Sequence, residues 1–227
     1  MYKTKGLLIG AILLTLVLIP GLACGAKPAQ EPAEVPSKPP TGETLPAPTE
    51  ITTADNYTTY TDEARVFSIS YPADWEADFS LIQGLEQNAK DALNKLKSGQ
   101  PLEDSTMVFL CGHRTKTAFE PNMNVSVVPI VSKTATYDQI IAEELQSQAK
   151  IYQDFQETFR LETTVDGRKA VISEWEGTPE KTRLHFLQLY TVKDRTVWII
   201  TCISLASDFS QWQNDFNTIV RSLRIYY

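Results

Sequence analysis

The sequence predicts an α+β fold in which helices cover an antiparallel β-sheet. Two observations lead to this prediction. Short runs of aromatic and β-branched residues, separated by turn residues, recur from residue 57 onward, and three longer segments repeat apolar residues at helical spacing. Seven such runs and three such segments in about 170 residues are typical of a sheet packed against helices. Of the 227 residues, 42% are hydrophobic and 22% are charged, so we expect one globular domain with appendages.

Seven segments are predicted to be strands, because they alternate apolar and polar residues or form short apolar runs bounded by turns. They are residues 67–71, 106–111, 124–131, 159–165, 169–175, 184–192 and 196–204. Two connections are predicted to be hairpins. Asp166-Gly167 suits a two-residue turn that requires positive φ angles, and residues 193–195 are few enough to join antiparallel strands.

Three segments are predicted to be helices, because apolar residues recur every three or four positions. The first contains Ile82, Leu85, Ala89, Leu93 and Leu96, and ends before Gly99 and Pro101. The second contains Tyr137, Ile140, Ile141, Leu145, Ala149 and Tyr152, and Thr136 with Gln139 forms a predicted capping box. The third contains Phe209, Trp212, Phe216, Ile219, Val220 and Leu223, after the candidate caps Ser207 and Asp208. We interpret these apolar stripes as faces that pack in the core.

The first 23 residues have the layout of an export signal. Lys3 and Lys5 precede an uncharged stretch, residues 6–23. A membrane-spanning helix needs about 20 apolar residues, and Pro20 shortens the usable helix. A cleavable signal peptide over residues 1–23 is therefore predicted.

The residues that end this signal, Gly21-Leu22-Ala23-Cys24, resemble the lipobox of bacterial lipoproteins. The resemblance implies that Cys24 is lipidated, becomes the mature N-terminus and anchors the chain to the extracytoplasmic face of the cell membrane. Several acyl chains on one cysteine suffice for stable anchoring, since each buried methylene contributes about 0.8 kcal/mol. The alternative is an uncleaved anchor or a plain secretory signal that leaves Cys24 free.

Residues 24–55 are predicted to be a disordered, proline-rich tether. Seven prolines occur in this segment without one aromatic residue: Pro28, Pro32, Pro36, Pro39, Pro40, Pro46 and Pro48. Such a composition cannot bury enough apolar surface to offset the entropy lost on ordering, and prolines keep it partly extended. A spacer that holds the domain away from the membrane is the leading interpretation, and a proline-rich peptide ligand is the alternative.

The charge of the chain excludes two classes of partner. Removal of Lys3 and Lys5 with the signal changes the formal charge from −7 to −9. Nucleic-acid binding needs clustered lysine and arginine, and polybasic attachment to anionic lipids needs the same. Membrane attachment is therefore expected to depend on the N-terminus.

The run Phe67-Ser68-Ile69-Ser70-Tyr71-Pro72-Ala73-Asp74-Trp75 resembles the opening of the family that includes PsbP, Mog1p and the bacterial lipoprotein DcrB. The C-terminal part is also similar, with Trp198-Ile199-Ile200-Thr201 in a hairpin and Phe216, Ile219 and Ser222 in a last helix. This resemblance covers most of residues 57–227. It implies an α-β-α sandwich around an antiparallel sheet over residues 56–227, and a mostly non-enzymatic binding or assembly module.

Three residues of the domain are candidate site residues. Trp75 follows the strand that Pro72 ends, and its ring is expected either to cover the core or to contact a protein partner. Cys111 and Cys202 are the cysteines left after Cys24. In an exported domain they are candidates for a disulfide, and the alternative is two free cysteines that act as small buried hydrophobes.

No catalytic constellation emerges from the motifs, and no metal or cofactor site is predicted. Ser147-Gln148-Ala149-Lys150 matches the S-x-x-K motif of penicillin-recognising enzymes but falls within the second predicted helix, and no S-D-N or K-T-G follows. Cys111 and His113 are too few ligands for a zinc site, and Cys202 with His185 could complete the set only if distant strands converged. Glu143-Glu144 and Glu174 with Glu176 are interpreted as solvated charges.

The leading hypothesis is a non-enzymatic protein-interaction or assembly module of unknown partner, displayed outside the cell by a lipid and a tether. The first alternative is a carrier of a small ligand, which would use a cleft between the sheet and the first helix. The second is a hydrolase without a recognisable motif.

Overall fold

The computed structural model describes residues 56–77, 79, 84–114, 119–132, 134–179 and 181–227. The elements in chain order are β1 (Tyr57–Thr61), β2 (Phe67–Pro72), β3 (Glu76–Ala77), α1 (Leu85–Lys97), β4 (Thr106–Gly112), β5 (Asn122–Pro129), α2 (Tyr137–Ile151), β6 (Gln153–Val165), β7 (Arg168–Thr178), β8 (Leu184–Lys193), β9 (Thr196–Leu205), α3 (Phe209–Ser222) and β10 (Arg224–Ile225).

The centre of the domain is a seven-stranded antiparallel sheet with the order β3-β4-β5-β9-β8-β7-β6. A second sheet has the order β1-β2-β10. One face of the large sheet packs against α1, α3 and the small sheet, and the opposite face packs against α2. The predicted α-β-α sandwich around an antiparallel sheet is therefore confirmed.

Both predicted hairpins are present. Asp166 and Gly167 have φ angles of 51° and 72° between β6 and β7. Asp194 and Arg195 have φ angles of 45° and 63° between β8 and β9. All seven predicted strands are found, although the third ends at Pro129 and the fourth begins earlier, at Gln153. The short strands β1, β3 and β10 were not predicted from the sequence.

The three predicted helices are also present. Thr136 and Gln139 form the predicted capping box, in which each side chain bonds the backbone N–H of the other residue. The first helix begins at Leu85, and Ile82 lies outside the described residues. Asp208 is the N-terminal cap residue of α3, but its side chain makes no capping hydrogen bond and instead accepts one from Ser207.

Trp75 belongs to the core, as in the first of its two expected roles, and its ring is not displayed on the surface. The residue is only 4% exposed. Its ring meets the rings of Trp212 and Phe216 edge-on, with centroids 6.1 Å away in each case. Pro72 ends β2, and the Trp75 N–H donates to the Pro72 carbonyl at 3.0 Å in the turn that follows. This turn directs the chain back over the sheet, so the ring closes the core beneath α3.

We expect Trp75→Ala to lower the free energy of unfolding by about 3–5 kcal/mol, because it leaves a cavity where a large buried ring was. The matched variant Trp212→Ala removes a ring that is only partly buried, so its cost should be smaller. Urea-induced unfolding measures both values. A loss below about 0.5 kcal/mol for Trp75→Ala, the range of an ordinary surface change, would show that Trp75 does not support the core.

Candidate functional site

The predicted anchor cannot be placed in the structure. Cys24, the signal peptide over residues 1–23 and the tether over residues 24–55 all lie outside the described residues. Among the helices that are described, none is both long and apolar enough to span a bilayer. Lipidation of Cys24 therefore stays a prediction.

Cys111 and Cys202 are free, buried thiols in the structure. Cys111 of β4 and Cys202 of β9 both pair with Met123 of β5, which lies between them. Two strand spacings separate their α-carbons by about 10 Å, whereas a disulfide needs them within about 7 Å. The register thus explains why the candidate disulfide is not formed, and the alternative of two small buried hydrophobes describes the structure.

Burial also makes these thiols poor nucleophiles. Burial raises the pKa of the Cys111 and Cys202 thiols well above the ordinary value, so little of either is in the reactive thiolate form. His113 lies beyond the end of β4, where its Nε2 is 3.4 Å from Asp74 and its ring is 5.1 Å from the ring of Trp212. Among the described residues, no three His, Cys, Asp or Glu side chains are placed to bind a metal ion.

His185 and two carboxylates form a cluster that the sequence analysis missed. Glu174 is only 7% exposed and lies 3.5 Å from His185 Nε2, and Glu176 lies 3.2 Å from His185 Nδ1. The histidine ring stacks on Phe209 at a centroid distance of 3.4 Å. Interpretation of Glu174 as a solvated charge was therefore wrong. Its position could have revealed this, because Glu174 falls on the same side of β7 as the core residue Ile172.

Arg183 completes this cluster at the surface. Its guanidinium donates to Glu176 at 2.8 Å. Burial raises the pKa of Glu176, but hydrogen bonds from Arg183 and His185 outweigh that effect and lower its pKa overall. All partners of the cluster come from the domain itself and close the end of the large sheet against α3, so we interpret it as structural.

A concavity lies beside α2, and we call it the α2 groove. It has a cavity volume of about 380 Å³. Its lining from α2 includes Ile140, Glu143, Glu144, Gln146, Ser147 and Lys150, and its lining from β5, β9 and the loop after β5 includes Val128, Pro129, Ile130, Val131, Ser132, Ala135, Val197 and Ile199. The groove therefore combines an apolar lining with charges from one helix. The S-x-x-K residues Ser147 and Lys150 lie here, within a helix as predicted.

Arg195 fixes the loop that forms one side of the α2 groove. Its guanidinium donates to the carbonyls of Ile130 at 2.5 Å and Ser132 at 3.1 Å, and its own carbonyl accepts from the Ile130 N–H at 2.8 Å. Val131, between these two residues, is 63% exposed. Because the loop is held by its backbone, the Val131 side chain is free to contact a bound molecule.

Glu144 carries the charge with the most unusual environment in the groove. Burial raises the pKa of Glu144, although a hydrogen bond of 3.1 Å from the Gln148 amide partly lowers it. Gln148 itself is only 1% exposed. Glu144 is therefore only partly solvated, whereas Glu143 is exposed as expected. Helical periodicity could have predicted the reduced exposure of Glu144, since this residue is next to Leu145 and three positions after Ile141, both of which are buried.

A smaller cleft occupies the place proposed for a small-ligand carrier, between β1 and the first helix. Its cavity volume is about 230 Å³. The rings of Tyr60 and Phe79 contribute to its lining together with the carboxylates of Glu63 and Glu86. Lys90 forms ion pairs with both of these glutamates. The cleft is thus small and charged, unlike the large apolar pocket of a typical carrier.

Comparison with known proteins gives a fold but no family assignment. No protein-family model matches the chain, and no curated protein matches it significantly. The solved structures that are similar include two with a TM-score of at least 0.50. One is the solution structure of cyanobacterial PsbP from Synechocystis, with a TM-score of 0.51 and 11% identity over 82% of this chain and 99% of that chain. The other is LpqN of Mycobacterium tuberculosis, described as involved in cell envelope biogenesis, with a TM-score of 0.50 and 11% identity over 75% of this chain and 91% of that chain.

At such low identity, the similarity to these structures establishes the fold alone. It supports the PsbP part of the resemblance seen in residues 67–75, and the relation to Mog1p and DcrB stays a prediction. The domain that carries the α2 groove thus has a PsbP-like α-β-α fold.

Proposed function

We propose that this chain is a lipid-anchored, non-enzymatic binding module on the extracytoplasmic face of the cell membrane, which binds a protein partner in the α2 groove. In this proposal residues 1–23 are a signal peptide, residues 24–55 are the tether and residues 56–227 are the binding domain. The observation that carries the proposal is that the point where the tether joins the domain and the α2 groove lie on opposite faces of the large sheet. The tether continues into β1 on one face of the large sheet, and the groove lies beside α2 on the other face.

The lining of the groove defines the partner that fits it. Ile130, Val131 and Ile140 offer apolar contacts, whereas Glu143 and Glu144 together outnumber the single cation Lys150. A partner segment with an apolar side chain beside a basic residue complements this lining. A basic residue close to Glu144 would also offset the cost of this partly buried charge, because an opposite charge favours the ionised carboxylate.

Two further observations support the proposal. Gly21-Leu22-Ala23-Cys24 supplies the lipidation signal, and the acidic chain has no polybasic segment to replace it. LpqN, which shares the fold, is described as involved in cell envelope biogenesis, a setting that agrees with display on the outer face of a membrane. The contents of the groove favour binding over catalysis, because Ser147 and Lys150 lack the companion motifs of penicillin-recognising enzymes.

Cys24→Ser should release the protein from the membrane, since the thiol that would receive the lipid is lost. Fractionation of cells into membrane and soluble pools, followed by immunodetection, measures the change. Cys202→Ala provides the matched control, because it removes a buried thiol within the domain and should leave the protein in the membrane pool. Retention of Cys24→Ser at full yield would mean that the apolar segment is itself the anchor.

Glu144→Gln should stabilise the free domain at pH 7. Burial raises the pKa of Glu144 above the ordinary value of 4.5, so ionisation opposes folding at every pH above the raised pKa. As the pH falls from the raised value to about 4.5 this penalty declines, and below about 4.5 the carboxyl is neutral in both states, so the difference from glutamine disappears. Thermal unfolding at pH 7 and pH 4 tests this sign. Glu143→Gln, at an exposed position, should leave Tm nearly unchanged at both values, and a lower Tm for Glu144→Gln at pH 7 would contradict the argument.

A photo-crosslinking residue at Gln146 in the full-length, membrane-bound protein should capture one defined protein species. Gln146 is exposed and lines the groove, whereas Asp91 is exposed on α1 and serves as the control position. Mass spectrometry should place the crosslink in a segment that contains a basic residue, and Glu144→Gln should reduce its yield. The same species from both positions, or a yield that does not respond to Glu144→Gln, would exclude the α2 groove as the binding site.

A further inference from the structure

The long strand β6 leaves one edge of the large sheet unpaired. It contains 13 residues and pairs only with β7 among the described strands. Irregularities in this pairing are confined to its first part, before Phe159. From Phe159 to Val165 the register with β7 is continuous, so this half of the edge is regular enough to accept another strand.

We propose that β6 pairs with β6 of a second copy of this chain in an antiparallel, two-fold symmetric arrangement centred on Leu161. In this register Leu161 lies opposite Leu161 of the second copy, and Arg160 lies opposite Glu162 in both directions. A two-fold interface requires a surface that complements itself, and opposite charges at facing positions on adjacent strands are stabilising. The sequence Arg160-Leu161-Glu162 meets this requirement.

The same charges oppose the neighbouring registers. A slip by two residues in one direction places Arg160 opposite Arg160, and the same slip in the other direction places Glu162 opposite Glu162. Like charges at facing positions are destabilising, whereas a slip by one residue exchanges the two faces of the strand. The charge pattern therefore selects one register, although isolated charges on an edge strand usually prevent pairing.

The exposure of the side chains agrees with this register. Glu162 is 70% exposed and Arg160 is 35% exposed, so both can reach a facing strand. Glu157 holds the Arg160 guanidinium by two hydrogen bonds, of 2.7 and 2.8 Å, which limits the conformations of this side chain before association. On the opposite side of the strand, Phe159 and Leu161 are only partly buried against the core, and the second copy would cover them further.

Backbone geometry also permits the pairing. Val165 and Arg168 flank the two-residue turn at Asp166-Gly167 and form the closing pair of the hairpin. In such turns the two residues of the closing pair bond each other through their backbone N–H and C=O groups. Along an antiparallel pair, residues alternate between bonding the neighbouring strand and pointing away from it. Counting back from Val165, the backbone N–H and C=O groups of Arg160 and Glu162 therefore point away from β7. Association would therefore add about four backbone hydrogen bonds between the two copies.

Disulfide trapping in intact membranes tests the register. Leu161→Cys places a thiol on the two-fold axis, where facing α-carbons are about 4.5–5.5 Å apart and within disulfide range. Copper phenanthroline should therefore convert this variant to a covalent dimer. Thr164→Cys is the matched control on the same strand. In the proposed register its two copies are about 20 Å apart, so no dimer should form, and the wild-type chain, which retains Cys24, Cys111 and Cys202, should form none either.

Charge reversal tests the pairing itself. In the Leu161→Cys background, Glu162→Arg should abolish the crosslinked dimer, because Arg160 then faces arginine. Addition of Arg160→Glu should restore it, because the opposite charges face each other again. Thermal unfolding of each variant shows whether the domain remains folded. Equal crosslinking of Leu161→Cys and Thr164→Cys, or failure of the folded double reversal to restore the dimer, would overturn the proposal. Either result leaves the proposed function untouched, since β6 does not line the α2 groove.

Discussion

The structure depends on a sheet that must be covered on both faces. The central strands β8 and β9 are buried along nearly their whole length, including residues on both of their sides. Apolar side chains such as Leu187, Ile200 and Cys202 supply most of the packing on the α1 and α3 face, where His185 and Glu174 are also buried. The elements outside the large sheet supply this cover, with α1, α3 and the small sheet on one face and α2 on the other.

The face beneath α2 satisfies the same constraint with polar side chains as well. A row of residues crosses four adjacent strands in register: Asn124, Thr201, Gln188 and Ser173. Each of these is at most 2% exposed, so each polar group needs a partner. Gln188 meets this need at the centre, because its carbonyl oxygen accepts from the Trp175 indole at 2.7 Å and from the Tyr190 hydroxyl, and its amide donates to Thr201 at 3.0 Å. These hydrogen bonds fix the positions of Trp175, Gln188 and Tyr190 on the face of the sheet that α2 covers.

Periodicity in the sequence predicted the elements but not the contacts between distant strands. The seven long strands and three helices were predictable, since each repeats its pattern over several residues, whereas β3 and β10 have two residues each and carry no period. The free state of Cys111 and Cys202 depends on their shared partner Met123, which only the pairing order reveals. For Glu144 and Glu174 the signal was present, because Glu144 lies beside the buried face of α2 and Glu174 lies on the core side of β7, but charge suggested solvent exposure.

The charge of Glu144 connects the buried layer with the α2 groove. The pKa of the buried Tyr190 is raised mainly by burial and further by the negative charge of Glu144. The charge of Glu144 therefore acts on the hydroxyl that donates to Gln188. A carboxylate in this position costs folding free energy, which a purely structural helix could avoid with a neutral residue. Retention of a costly charge is typical of binding sites, where stability is lower in exchange for recognition. The His185 cluster differs from the groove in this respect. Glu176 of the cluster is paired with Arg183 and His185 of the same domain, whereas Glu144 accepts a hydrogen bond from the neutral amide of Gln148.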